Sequence, residues 1–359
     1  MKKMEKFLTL CMCVMLAFGV LLVCGTAAQA AEGRTLKIGM IIKEPSAPFI
    51  QAFVKGAQER ADELGDVEIL IRDGEANSIK IMEIIDTFIS QKIDAFILAG
   101  AVDLRALIPG IVRLNEENIP VGALDTSPEG GKVDFFLSFD LAKSSAKAAE
   151  LFIEGIKQRN GGEVPEGVVV EIIGDAADMF AVACTEGFSS VLGNYPQLQV
   201  VQGEGKWNNT DSHTKASDLI TRYGDRIKGI YVQTPDIMAA GVVSAIEAAG
   251  LNAEDFGICG ICIGPEGIEL IKQKKVLGIV EQPAYDSAYM VVGYLVDILK
   301  GNPVPKIGET IAQEGALWSP AAVIENPWAD EGAFIVLNSP LVPQEAGPDD
   351  ERLWENKVK

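Results

Sequence analysis

Histidine, cysteine, basic runs and a second long apolar run are what this 359-residue sequence has least of, and each shortage closes a line of interpretation. The single histidine, His213, sits in the polar stretch WNNTDSHTK, so histidine-based metal ligation or acid–base chemistry has little to build on. Of six cysteines, Cys11, Cys13 and Cys24 fall within the first thirty residues. The remaining Cys184, Cys259 and Cys262 are an odd, sparse set rather than a disulfide framework, so stability must come from a core. Lys and Arg number 31 against 51 Asp and Glu, and no basic run offsets the excess, which makes nucleic acid and anionic membrane surfaces poor partners. Metal-ligand spacing, a nucleophile elbow and a phosphate-binding glycine loop are all missing, so the expectation is a protein that is not an enzyme and carries no cofactor or metal.

What is present begins at the N-terminus. Lys2, Lys3 and Lys6 precede an apolar run from Phe7 to Cys24, and Ala28-Gln29-Ala30 follows as a small-x-small cleavage pattern. Residues 1–30 therefore read as an export signal, with the working protein in the periplasm or cell envelope. A retained anchor would need about 20 apolar residues, and the cleavage pattern directly behind the run favours removal. Leu21-Leu22-Val23-Cys24 also resembles a lipidation box, with Val23 where a small residue is usual. Without residues 1–30, which hold three Lys and one Glu, 28 basic face 50 acidic side chains, a net charge near −22.

Past Leu36, short Val- and Ile-rich runs alternate with helical patterns. LKIGMII (36–42), VEILI (67–71), DAFILA (94–99) and PVGAL (120–124) start 31, 27 and 26 residues apart, the length of βαβ units. Runs apolar at every position suit strands buried on both faces of a parallel sheet. A second series, VVVEII (168–173), LQVVQ (198–202), GIYVQ (229–233), GICGICI (257–263) and VLGIVE (276–281), steps by 30, 31, 28 and 19 residues. The fold class is thus α/β, with two doubly wound parallel-sheet lobes and a crossing near residues 134–140. We expect lobe 1 to comprise 34–139 plus 284–312 and lobe 2 to comprise 140–283 plus 313–342. Residues 343–359 should form a charged C-terminal tail, frayed from Asp349 onward. Ligands of open parallel sheets bind beyond the carboxyl ends of the strands, so facing lobes make a cleft suited to a small solute.

The order SAPFIQAFVKGAQERADELG (46–65), LDTS (124–127), LSFD (137–140), EGF (186–188), TPDIMAAG (234–241), GPEG (264–267) and VEQPAYDSA (280–288) resembles the ribose-type periplasmic binding proteins of ABC importers. TPD at 234 and FIVLNSPLV (334–342) resemble the branch that binds autoinducer-2 and rhamnose-like sugars. The resemblance implies a type I periplasmic-binding-protein fold with a multi-strand hinge and a monomeric receptor handing a small-molecule ligand to a membrane permease. It also excludes transcriptional repression, because an export signal stands where the related repressors carry a DNA-binding segment.

By that resemblance the ligand contacts are Phe49 and Trp207 as stacking aromatics, Asp125 as a carboxylate accepting ligand hydroxyls and Gln282 as a two-way hydrogen bonder. Each has a plainer alternative: core packing for Phe49, interlobe packing for Trp207, a turn cap for Asp125 and hinge bonding for Gln282. Thr234, Pro235 and Asp236 read as a helix start, and if it faces the cleft, Pro235 and Asp236 bring its free N–H groups to the ligand. Departures from the ribose type fall at Ala47, Thr126, Val182, Pro235 and Cys262, where polar ligand contacts are lost. At roughly 1–3 kcal/mol per buried unpaired group, ribose and galactose are disfavoured against a smaller or less hydroxylated solute.

Two other readings share these residues. Cys259-Gly260-Ile261-Cys262 spells the C-x-x-C of a thiol oxidoreductase, but inside an extended strand its cysteines stand ~10 Å apart, beyond the ~7 Å a bridge spans. A sensory receptor presenting the same two lobes to a membrane kinase or chemoreceptor differs only in its partner.

Overall fold

The computed structural model describes residues 33–100, 103–344 and 347–357; the export signal and Cys24 lie outside them. The first lobe opens with β1 (Leu36–Ile42), α1 (Pro48–Leu64), β2 (Val67–Asp73), α2 (Ser78–Ser90), β3 (Ala95–Ala99), α3 (Ile108–Glu116), β4 (Val121–Leu124) and β5 (Lys132–Phe139). Its β3 and β4 are buried at every position, as a strand covered by helices on both faces must be. Pro48 occupies the first turn of α1, where no N–H is needed, and Gly65 ends the helix in the left-handed conformation with φ 75°.

The second lobe follows with α4 (Leu141–Arg159), β6 (Gly167–Ile173), α5 (Met179–Leu192), β7 (Leu198–Glu204), α6 (Asn209–Tyr223), β8 (Ile227–Val232), α7 (Pro235–Ala248), β9 (Ile258–Ile261), α8 (Gly264–Lys272) and β10 (Val276–Val280). The chain then returns through α9 (Ala284–Lys300), which packs on α1 so closely that a Cβ on Gly56 would stand 2.2 Å from the carbonyl oxygen of Tyr285. The last elements are β11 (Thr310–Ile311), β12 (Ala321–Glu325), β13 (Glu331–Leu337), β14 (Leu341–Pro343) and the short α10 (Trp354–Lys357).

Two sheets result, ordered β11-β12-β13-β5-β4-β3-β1-β2 and β14-β10-β9-β8-β6-β7. Among the described residues, pairing is parallel throughout the βαβ portions and antiparallel only at β11–β12, β12–β13 and β10–β14. Each sheet is covered on both faces by separate apolar clusters. The backbone passes between the sheets at Asp140, at residues 281–283 and at residues 338–340, which makes a three-stranded crossing.

Two boundary expectations need correction. Residues 313–342 do not all belong to lobe 2: β12 and β13 extend the first sheet, β13 pairing parallel with β5 from Glu331–Lys132 to Leu337–Phe139, and only β14 joins the second. Proline and glycine around residues 301–308 hide this addition, because β13 enters a sheet whose partner lies two hundred residues earlier. The chain beyond Asp349 is not frayed as expected either, since Leu353, Trp354 and Glu355 are 1%, 2% and 0% exposed.

Candidate functional site

The segments that follow β4, β5 and β6 at their carboxyl ends meet around one cavity between the lobes. Asp125 follows β4 with φ 68°, a left-handed conformation that Asp tolerates better than most side chains. Its carboxylate is buried, with Oδ2 3.7 Å from Lys43 Nζ and Oδ1 accepting a 3.3 Å hydrogen bond from Gln282 Nε2. Burial pushes its pKa up, Asp178 pushes the same way, and Lys43 and Gln282 oppose them. Asp125 and Gln282, 157 residues apart in the chain, therefore meet directly at the crossing between lobes.

A cavity of about 250 Å³ opens beside Asp125. Asp125, Thr126, Ser138 and Trp328 line it from the first lobe, and Met179, Phe180 and Ala183 from the start of α5 in the second. Its aromatic wall is preorganised: Phe136 stacks on Phe334 at 4.5 Å, and Trp328 meets Phe136 edge-on at 5.5 Å. Polar groups are few, as in most small-molecule pockets. One is Thr126 Oγ1, which is buried and has no hydrogen-bond partner among the described residues.

The other expected residues sit around this centre at different depths. Trp207, with φ 56°, precedes α6 and lays its indole flat on Gly174, where a Cβ would stand 2.1 Å from the ring. Its edge meets Phe180 at 5.6 Å, so it braces a cavity wall rather than lining the cavity. Phe49, half-buried in the first turn of α1, packs edge-on against Phe53 at 4.5 Å and belongs to the periphery of the lobe 1 core. Pro235 starts α7 and presses on Gly260 of β9.

Asp236 keeps some exposure, but its Oδ1 is shielded and unpartnered among the described residues. Burial pushes its pKa up to about 8, the first N–H groups of α7 counter it in part, and Glu266 and Asp125 add to the rise. The structure thus brings together Asp125 and Gln282 by contact, and Asp236 by electrostatic reach. It does not bring Phe49 into the cavity.

Several residues at the site escaped the sequence reading. Lys43, immediately after β1, supplies a cation at Asp125, and a lysine ending a buried strand was the available signal. Trp328 and Phe334 come from the unrecognised β12–β13 addition. Val182, assigned to a ligand-facing position of α5, is 48% exposed; the face of that helix toward the cavity is carried by Met179, Phe180 and Ala183. The C-x-x-C cysteines and Cys184 are free and buried, and burial pushes every one of these thiols up, away from the reactive thiolate. Cys259 lies in β9, and Cys262 lies just past its end with φ 65° rather than within the strand.

Behind the site, Glu171 at 0% exposure accepts from Thr185 at 2.9 Å, Gln202 at 2.8 Å and Gln233 at 3.2 Å. Gln233 also accepts from Gly174 N at 3.0 Å. This network fixes the ends of β6 and β8 beneath the turn that carries Trp207.

The two facing lobes with a polar-poor cavity at their crossing define a solute-binding architecture, and residues 38–303 match the periplasmic binding protein domain family. The chain belongs to that family. It is 25% identical over 272 residues to the D-apiose import binding protein of Actinobacillus succinogenes, covering 71% of this chain and 79% of that one. Among solved structures it resembles an ABC transporter periplasmic solute-binding protein from the same organism with bound D-allose, at a TM-score of 0.71 and 18% identity, over 90% of this chain and 100% of the other. It also resembles the fructose-binding periplasmic domain of a hybrid two-component system, at a TM-score of 0.71 and 17% identity, over 90% and 95% of the two chains. The fold is that of the type I periplasmic binding proteins.

Proposed function

We propose that this protein is an exported receptor of the periplasm or cell envelope that closes its lobes on a small sugar-like solute and delivers it to the permease of an ABC importer. The observation that carries the reading is the cavity shared by both lobes, with the Asp125 carboxylate at its edge and an aromatic wall of Phe136, Phe334 and Trp328. A carboxylate that accepts hydroxyl hydrogens beside flat ring faces is the chemistry a sugar needs, one polar edge and one C–H face. Membership in the family and likeness to an import binding protein support the transport role. The 250 Å³ volume falls below the ~300–1,000 Å³ of drug-sized pockets, which agrees with a small guest. Asp125 and Thr126 are the ligand's polar contacts in this reading, with Gln282 orienting Asp125; Asp236, Trp207, Phe49 and Pro235, which do not line the cavity, act as supports.

A thermal-shift screen with D-apiose, D-allose, D-fructose, deoxysugars and linear diols tests the reading. A ligand at 100 times its Kd adds ~2.7 kcal/mol, so a true guest raises the melting midpoint and Asp125→Ala removes the rise. A shift from amino acids or nucleosides alone would replace the sugar assignment. The likeness to a periplasmic domain of a two-component system favours one second reading, presentation of the closed form to a membrane kinase. Pull-down with the membrane proteins encoded beside it separates permease from kinase.

A further inference from the structure

The chain's final described segment runs across the gap between the lobes. After β14, a turn closes at Asp350, whose carboxylate accepts from the backbone N–H of Arg352 at 2.9 Å and pairs with its guanidinium at 2.7 Å. Two consecutive residues then enter different cores. Leu353 joins the lobe 2 cluster with residues of α7 and α8, and Trp354 joins the lobe 1 cluster with residues of α1 and α9. Trp354 is among the largest fully buried side chains of the protein, within a segment otherwise rich in charge.

The indole of Trp354 does more than fill space. Its Nε1 donates a buried 2.8 Å hydrogen bond to the carbonyl oxygen of Gln282, at the point where the chain passes from β10 to α9. The side chain of the same Gln282 holds Asp125 Oδ1. A line of contacts therefore runs from the tail through the hinge to the carboxylate at the cavity edge. Glu355, 0% exposed, lies beside Glu281 and Asp236, and is shut from solvent by the same docking.

We propose that residues 347–357 form a strap that ties the two lobes together at the hinge and positions the Gln282–Asp125 pair, with Trp354 as the positioning residue. The positioning role rests on the reading of Asp125 as a ligand contact; the strap itself does not. Because Leu353 and Trp354 are anchored in different lobes, wide opening must withdraw one of them from its core. The tail thus limits how far the lobes part, and it keeps the Gln282 carbonyl oriented while they move.

The test compares the full-length mature chain with Trp354→Phe, which keeps an aromatic ring and loses the N–H donor, and with a chain ending at Pro348. Amide hydrogen exchange of the ligand-free protein is read at residues 281–284, with β1 as internal control, together with the radius of gyration from small-angle scattering. The strap predicts at least tenfold faster exchange at 281–284 in both variants, unchanged exchange in β1, and a larger radius only in the truncated chain. Unchanged exchange and an unchanged radius in both variants would overturn it. D-apiose titration is then added: a weaker Kd in Trp354→Phe at an unaltered melting midpoint supports positioning, and an unaltered Kd overturns that part. If the wild-type protein ignores every sugar while the exchange pattern still changes, the strap is supported and the sugar reading fails.

Discussion

Asp236 illustrates how much a single buried oxygen decides. Its pKa, pushed up to about 8, lies above that of an unfolded aspartate, so the folded state holds a proton that the unfolded state has released. The stabilisation is fully present below about pH 4 and is lost as pH rises through about 8, at ~1.4 kcal/mol per pH unit where the states differ by a whole proton. Asp236→Asn should flatten this slope: urea unfolding at pH 5 and pH 8 is expected to show the variant gaining on the wild type as pH rises. Equal slopes would mean that the carboxyl is not proton-linked. The Thr-Pro-Asp helix start is legible from sequence, whereas the buried, unpartnered Oδ1 depends on the approach of α8 and the tail, which no local pattern records. Asp125 and Gln282 were recognisable only through family likeness, because their contact spans two chain crossings.

At the scale of elements, close approach explains why particular glycines stand where they do. Gly174 follows β6 under the Trp207 indole, and Gly174→Ala must move the ring that braces Phe180. Overpacking of this kind costs about 1–3 kcal/mol, and the variant should melt lower and give a smaller sugar-induced shift. An unchanged midpoint would show that the indole is free to leave. The βαβ elements were readable because apolar strand runs and helical stripes recur at regular spacing. β11 to β13 were not, because they are short or antiparallel additions amid Pro and Gly, and their place beside β5 is set by long-range pairing. The buried α10 was hidden in the same way, as Trp354 stands among charges that suggest solvent. A lone tryptophan in such a segment was the available clue.

For the whole molecule, three crossings and a tail whose Leu353 and Trp354 join different cores link the two lobes. The net charge of −20 disfavours anionic macromolecules as partners. In the proposed function the guest sits where both lobes meet, against Asp125. A crystal structure of the mature protein with the sugar giving the largest thermal shift tests this most directly. It should show an intact solute hydrogen-bonded to Asp125 and Thr126 and packed between Trp328 and Phe180; a solute bound on an outer surface, or a cleft unchanged by a ligand held elsewhere, would contradict it.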